Sequence, residues 1–333
     1  MNFNTYKGSF VIAICISLFL LFLPMQTFAY EVYKDFSAEI FNSLSDEQIR
    51  DLESKGYTPG ALAEQLEIGR GYDELSKIEL VEEQVVYHKV IEYFPAGYQE
   101  PDEHNVSAML FDEFERASSD EFYSEVIELT EEEFLKEIEE EDESVTLFST
   151  TDEHRTSTSY KRMATIMYRI NRDRYRVSNK VDWTKMPIHR KHDIIAIALN
   201  KNTSPLKGTE WAKQTWTSSS GTNPGSATYT TNSSKWERNA SGYGLYFKLK
   251  QGFTDTGNTP VGRITMYMEY EAGPNVSNVT LVDGYGHYYH LEHPVNITPS
   301  FTIGAGGVGV SISGGYQSEY TRHRPETHVQ LFR

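Results

Sequence analysis

The stretch Ile264-Thr265-Met266-Tyr267-Met268-Glu269-Tyr270 alternates with a period of two, the spacing of a strand with one buried face. Segments of the same character recur at Tyr160–Ile170, Arg172–Val177, Ala227–Thr231, Tyr243–Lys250 and Val279–Val282. They are rich in Val, Ile, Thr, Tyr and Phe and are separated by Gly, Pro, Asn and Ser clusters. Asp193–Leu199 is different, because it is continuously apolar after its first residue, as a central strand covered on both faces would be. The pattern predicts a mostly β fold, an antiparallel β-sandwich over residues ~160–333.

Near the end of the chain, Phe301-Thr-Ile-Gly-Ala-Gly-Gly-Val-Gly-Val-Ser-Ile312 contains the letters G-x-G-x-x-G. A dinucleotide loop needs a strand before it and a helix opening at the glycines. The residues that follow are β-branched at alternate positions, so the nucleotide reading fails. With Gly306-Gly307 as a two-residue turn, Phe301 opposes Ile312, Ile303 opposes Val310, and Thr302 opposes Ser311. Phe301, Ile303, Val308, Val310 and Ile312 then share one face, and Ser, Thr and Gly share the other. In one reading the apolar face packs on the sandwich. In the other it enters a membrane, making this a pore-forming protein. A spanning strand needs about 9–11 residues, whereas Pro299 halts the first strand after about seven, which favours packing.

Upstream the period changes. Ser45-Asp46-Glu47-Gln48 and Thr130-Glu131-Glu132-Glu133 are capping boxes that open helices. Gly56-Tyr-Thr-Pro-Gly60 ends one helix and starts the next. The spacing also predicts a longer helix from about Leu75 to Tyr93, closed by Phe94-Pro95. Residues 30–140 therefore read as an α-helical region, with a linker over 141–159 that begins in the block Glu139–Glu143.

Charge sharpens this division. Residues 30–150 carry 34 acidic against 8 basic side chains, whereas residues 151–333 carry 14 against 22. A net of −17 over 333 residues thus conceals a basic half. The acidic region is expected to be a pro-segment or intramolecular shield for the basic domain.

Residues 1–29 have the layout of a secretory signal peptide. Lys7 precedes an apolar run from Phe10 to Leu23, and Thr27-Phe28-Ala29 offers a cleavage site. The single cysteine, Cys15, lies in that run, so the mature chain has no disulfide framework and no thiol nucleophile. The run Trp183-x-Lys-Met-Pro-x-x-Arg-x-x-Asp-Ile-Ile-Ala196 resembles segments in uncharacterised secreted proteins of Bacillus-like Gram-positive bacteria. The resemblance spans 14 residues and implies export but no activity.

Four features are candidates for chemistry. Arg172, Arg174 and Arg176 alternate, so a strand would align them, with Lys180 nearby, as a ladder for an anionic surface polymer or a lipid headgroup. Trp211 and Trp216 are candidate sugar-stacking platforms, five residues apart and so on opposite faces. The run Asp283–His293 contains three histidines, but strand spacing brings only His290 and Glu292 close together, so no metal site is assigned. No G-x-S-x-G, H-E-x-x-H or P-loop is present. No catalytic residue, cofactor or nucleic-acid partner is assigned. The sequence reads as a secreted or cell-surface binding protein, with a secreted hydrolase as the competing reading.

Overall fold

The computed structural model describes residues 41, 43–95, 123–143, 154–187, 192–256, 259–291, 301–304, 309–312 and 320–333. The expected signal peptide, the Gly306-Gly307 turn, Val308, Glu292 and His293 lie outside the described residues. The chain divides into two compact units, Met1–Glu79 and Leu80–Arg333.

In the first unit three helices are described: Asp46–Ser54 (α1), Pro59–Glu67 (α2) and Tyr72–Leu75 (α3). The expected capping box forms, with the Ser45 backbone N–H donating to Gln48 Oε1 (2.8 Å) and Gln48 N–H donating to Ser45 Oγ (3.3 Å). Gly56 ends the first turn region at φ 88°, a conformation that favours glycine. Thr58 then caps α2, accepting from Ala61 N–H at 3.0 Å, with Pro59 in the first helical position. The Tyr72 hydroxyl donates to Asp51 (2.9 Å) and ties α3 to α1.

The second unit is antiparallel β. Its described strands are Glu79–Pro95 (β1), Tyr123–Leu129 (β2), His154–Asn171 (β3), Arg174–Lys185 (β4), His192–Leu199 (β5), Thr203–Pro205 (β6), Trp211–Ser218 (β7) and Gly225–Tyr229 (β8). There follow Trp236–Asn239 (β9), Gly242–Lys248 (β10), Val261–Pro274 (β11), Leu281–Leu291 (β12), Phe301–Gly304 (β13), Gly309–Ile312 (β14), Tyr320–Arg322 (β15) and Thr327–Phe332 (β16). One sheet runs β2-β1-β3-β4-β11-β7-β8 with β6 on β11, and the other runs β15-β12-β5-β10-β9 with β16 on β12. Their inner faces interdigitate: Met163, Val177, Val181, Met266 and Met268 from the first sheet meet Ile195, Ile197, Leu245, Phe247 and Val329 from the second.

The predicted hairpin forms in the expected register: Phe301 pairs with Ile312, Thr302 with Ser311, Ile303 with Val310, and Gly304 with Gly309. Its apolar face lies on the outer face of the second sheet, over Ile194, Ala196, Ala198, Tyr246 and Tyr289. Thr302 and Ser311 are exposed. Phe301, Ile303, Val310 and Ile312 are all buried, which is the packed reading and leaves none of these four facing outward. The Tyr289 hydroxyl satisfies the free strand edge, donating to Val310 O and accepting from Val310 N–H, each at 3.1 Å. Strand β5 is continuously apolar because both of its faces are covered. Ile195, Ile197 and Leu199 enter the sandwich core, and Ile194, Ala196 and Ala198 lie beneath the hairpin.

One expectation is overturned. The predicted helix over Leu75–Tyr93 is strand β1, hydrogen-bonded between β2 and β3. Val81, Val85, Val86, Val90 and Ile91 are β-branched, and Val86, His88, Val90 and Glu92 alternate into the buried face, so tertiary pairing outweighs the helical spacing of Glu and Lys. The compact units part at Glu79/Leu80, so residues 80–143 fall in the same unit as the sandwich. Residues 80–143 give the sandwich two strands and the helix Glu131–Glu143 (α4), opened by the expected box in which Thr130 N–H donates to Glu133 Oε2 (2.9 Å). Phe134 of α4 is buried and packs 4.8 Å from the Tyr87 ring. Glu137 accepts from Lys89 (2.7 Å) and from the Tyr160 hydroxyl (2.8 Å). The block Glu139–Glu143 is thus the end of a helix rather than the start of a linker. Part of the acidic half is structural, since β1 contributes Val86 and Val90 to the core.

Candidate binding site

The arginine ladder does not form as a free cationic face. Arg172 falls in the β3–β4 turn, whereas Arg174 and Arg176 lie on β4 beside β11. There they meet Glu271 and Glu269: Arg174 pairs with Glu271, and Arg176 lies 3.6 Å from Glu271 and 4.0 Å from Glu269. Lys180 is 5 % exposed. Its neighbour Asp182 receives the Arg263 fork, at 3.0 Å for Nε, together with the Thr265 hydroxyl at 2.9 Å. Burial works to raise the Asp182 carboxyl, but Arg263, aided by Lys180 and Thr265, outweighs it and holds it well below the usual carboxylate range. The alternation of Arg on β4 is matched by an alternation of Glu on β11, and the cross-strand pairs neutralise one another.

Arg172 instead belongs to a groove at one end of the second unit. A depression of about 700 Å³ is lined by Arg169, Arg172, Tyr175, Asn278, Phe332 and Arg333 among others. Arg333 holds the turn, donating to Arg172 O at 3.0 Å and pairing with Asp173. The Tyr175 hydroxyl also donates to Arg172 O, and burial pushes its proton affinity up, so it stays protonated. These two bonds fix the Arg172 backbone. Arg172 is exposed, and among the described residues its guanidinium has no ion-pair partner. Phe332 beside it is 73 % exposed. The result is a cationic, aromatic-edged surface, fixed by the backbone of a tight turn.

The tryptophans point to opposite faces of β7, as expected from their spacing. Trp216 is 8 % exposed and belongs to the core, so it offers no stacking platform. Gly225 makes its room, because a Cβ there would lie 2.2 Å from the indole Nε1. Trp211 is half-buried and packs edge-on to Tyr267 at 5.9 Å.

The histidine strand leads to a constellation that local spacing did not reveal. His88 (β1), Lys161 (β3), Trp183 (β4), Asp193 (β5), Tyr288 and His290 (β12) and His323, just after β15, are all fully buried. Asp193 accepts from the Tyr288 hydroxyl and lies 2.9 Å from His290 Nδ1, while Trp183 Nε1–H donates to the Tyr288 oxygen at 2.9 Å. His88 Nε2 lies 3.0 Å from Arg324 O, so it carries the proton. Its Nδ1 accepts from Lys161 Nζ at 3.0 Å. Burial and the adjacent Lys161 push His88 down to about 2, and burial holds the Lys161 ammonium well below its ordinary range. His323 sits 5.1 Å from the Tyr288 ring and 5.9 Å from that of His290, and neither of its ring nitrogens has a hydrogen-bond partner among the described residues. No group of three metal-ligating side chains is arranged to hold an ion among the described residues. These residues come from six separate segments. The one sequence signal was a run of polar residues at inward positions of strands, and His88 was hidden in a misassigned helix.

No known protein family matches the chain, and no curated protein does. Among solved structures, the collagen-binding domain of a Staphylococcus aureus adhesin is 8% identical, covers 48% of this chain and 89% of its own, and has a TM-score of 0.26. The collagen-binding subdomain of the Enterococcus faecalis surface protein ACE is 8% identical with a TM-score of 0.28, covering 49% of this chain and 90% of its own. The full-length major pilin SpaD of Corynebacterium diphtheriae is 9% identical with a TM-score of 0.26, covering 74% and 59%. These superpositions are too loose to carry a functional conclusion. Among the described residues no helix is long and apolar enough to cross a membrane.

Proposed function

We propose that this is an exported, extracellular or cell-surface binding module that engages an anionic polymer through the groove around Arg172. The signal-peptide layout of residues 1–29 and the resemblance of residues 183–196 to Bacillus-like secreted proteins support export. The observation that carries the binding reading is the exposed Arg172, without an ion-pair partner among the described residues, in a groove that it shares with Arg169, Arg333 and the exposed Phe332. Guanidinium groups match phosphate and sulfate oxygens in pairs, and an open groove suits a chain rather than a small enclosed ligand.

The chain's net charge of −17 opposes an anion at long range. At about 0.15 M salt the screening length is about 8 Å, so the groove's own cations dominate at contact. The test is retention on immobilised inorganic polyphosphate and on heparin at rising salt. Arg172→Glu should weaken binding about tenfold or more, roughly 1.4 kcal/mol. Binding that survives Arg172→Glu unchanged would exclude this groove as the site.

A further inference from the structure

The buried constellation joins two features that the sandwich alone does not require. The segment Tyr320–Glu326 lies with one side chain among the histidines and others against the hairpin. His323 enters the layer between the sheets, and its backbone N–H donates to Tyr288 O at 3.1 Å. Arg324 O receives the His88 proton. Tyr320 is buried in the cluster that holds Phe301, Ile303, Val310 and Ile312. The Arg322 guanidinium lies over Gly309, where a Cβ would be 2.7 Å from it, and 5.8 Å from the Tyr289 ring. Strand β15 itself is three residues long and pairs with β12 only at Tyr289, His290 and Leu291.

We infer that this layer is an acid-operated latch: protonating His323 releases the Tyr320–Glu326 segment and, with it, the β13–β14 hairpin. His88 has no free position for a second proton, because Nε2–H is committed to Arg324 O and Nδ1 faces Lys161 Nζ. A charged His323 would sit between Trp183 and Tyr288 with neither nitrogen hydrogen-bonded. The titratable groups facing the pair are Glu92 from β1, Lys161 from β3, Asp193 from β5, and Tyr288 and His290 from β12, with Tyr320 from β15 near Asp193. On the other face of β12, His287 Nδ1 lies 3.4 Å from Glu326, which is also paired with Arg322. Asp193 is already engaged by Tyr288, His290 and the Leu291 N–H, so it is not free to receive an imidazolium.

His323 is held neutral while the segment is docked, and it regains an ordinary midpoint near 6.5 once the segment is released. His88 stays on β1 beside Lys161 and loses only its bond to Arg324 O. The docked state is therefore fully favoured above about pH 6.5 and loses ground as pH falls below it, the opening equilibrium rising up to about tenfold per pH unit.

The test is amide hydrogen exchange from pH 7.5 to 4.5, corrected for intrinsic rates, on the full chain. Expected is a loss of protection in residues 301–304, 309–312 and 320–322 approaching tenfold per pH unit, while β5, β10 and β11 stay protected. His323→Phe, which fills the same space without titrating, should flatten the slope. An unchanged slope in that variant would overturn the latch, as would simultaneous loss of protection in all strands. Should the variant not fold, ring-proton titration of wild type decides. If His323 titrates near 6.5 while the hairpin stays protected, the latch is excluded.

Discussion

Gly244 is the position at which the hairpin's fit to the sheet can be measured. It lies on β10 opposite Ala196 of β5, and this small pair forms the floor beneath the Phe301 ring. A Cβ at Gly244 would come within 2.7 Å of Phe301 Cε2, 3.0 Å of Ala196 Cβ and 3.3 Å of Ile195 O. The backbone there is not in the left-handed region, so Gly244→Ala is a steric change alone. Overpacking costs about 1–3 kcal/mol, offset by about 0.4–1 kcal/mol from the stiffer unfolded chain. The expected net loss is about 1–2 kcal/mol, or about 2–8 °C in Tm for a unit of this size. Phe301→Leu removes the ring atom in question, so Gly244→Ala should be close to neutral in that background. Urea unfolding of wild type, both single variants and the double variant gives the coupling energy, expected to be at least about 1 kcal/mol in favour of the double variant. If the two changes add within about 0.5 kcal/mol, Phe301 does not sit on Gly244 and the hairpin is not docked on this face.

Two further outcomes follow from the same architecture. Arg263→Met should cost about 2–4 kcal/mol at pH 7, because it leaves the buried Asp182 carboxylate with reduced compensation. Asp182 is depressed in the folded protein, so its contribution is present above about pH 4 and lost as pH falls through the folded value. Urea midpoints should therefore differ more between wild type and Arg263→Met at pH 7 than at pH 2.5, and an equal gap at both would refute the pairing. Deleting residues 30–150 removes β1 and β2, opens the core at Val86 and Val90, and takes His88 away from Lys161. The shortened chain should give no cooperatively folded β protein by circular dichroism, and a soluble, cooperatively unfolding product would restore a detachable shield.

What could be read from the sequence was what neighbours in the sequence decide. The hairpin register followed from matching Phe301, Ile303, Val310 and Ile312 across a turn of two residues, and the helix caps at Ser45 and Thr130 followed from contacts three residues apart. The fate of the arginines depended on a strand nearly a hundred residues away, since Glu269 and Glu271 pair with Arg174 and Arg176. Likewise β1 reads as a helix until β2 and β3 supply its partners. The groove at Arg172 needed the β3–β4 turn to end two residues later than alternation implied. The histidine layer draws on residues from 88 to 323, so no local pattern could announce it.

Strand β5 has consequences for how this sequence can drift. An ordinary sheet strand keeps one parity of positions under constraint and leaves the other to chance. Here one parity holds Ile195, Ile197 and Leu199 against the sandwich interior, and the other holds Ile194, Ala196 and Ala198 beneath the hairpin. Variation at the first set must conserve bulk, and variation at Ala196 and Ala198 must conserve smallness. In a mutational scan β5 should therefore stand out as a run with no permissive position, with opposite size preferences on alternate residues from Ile195 to Leu199.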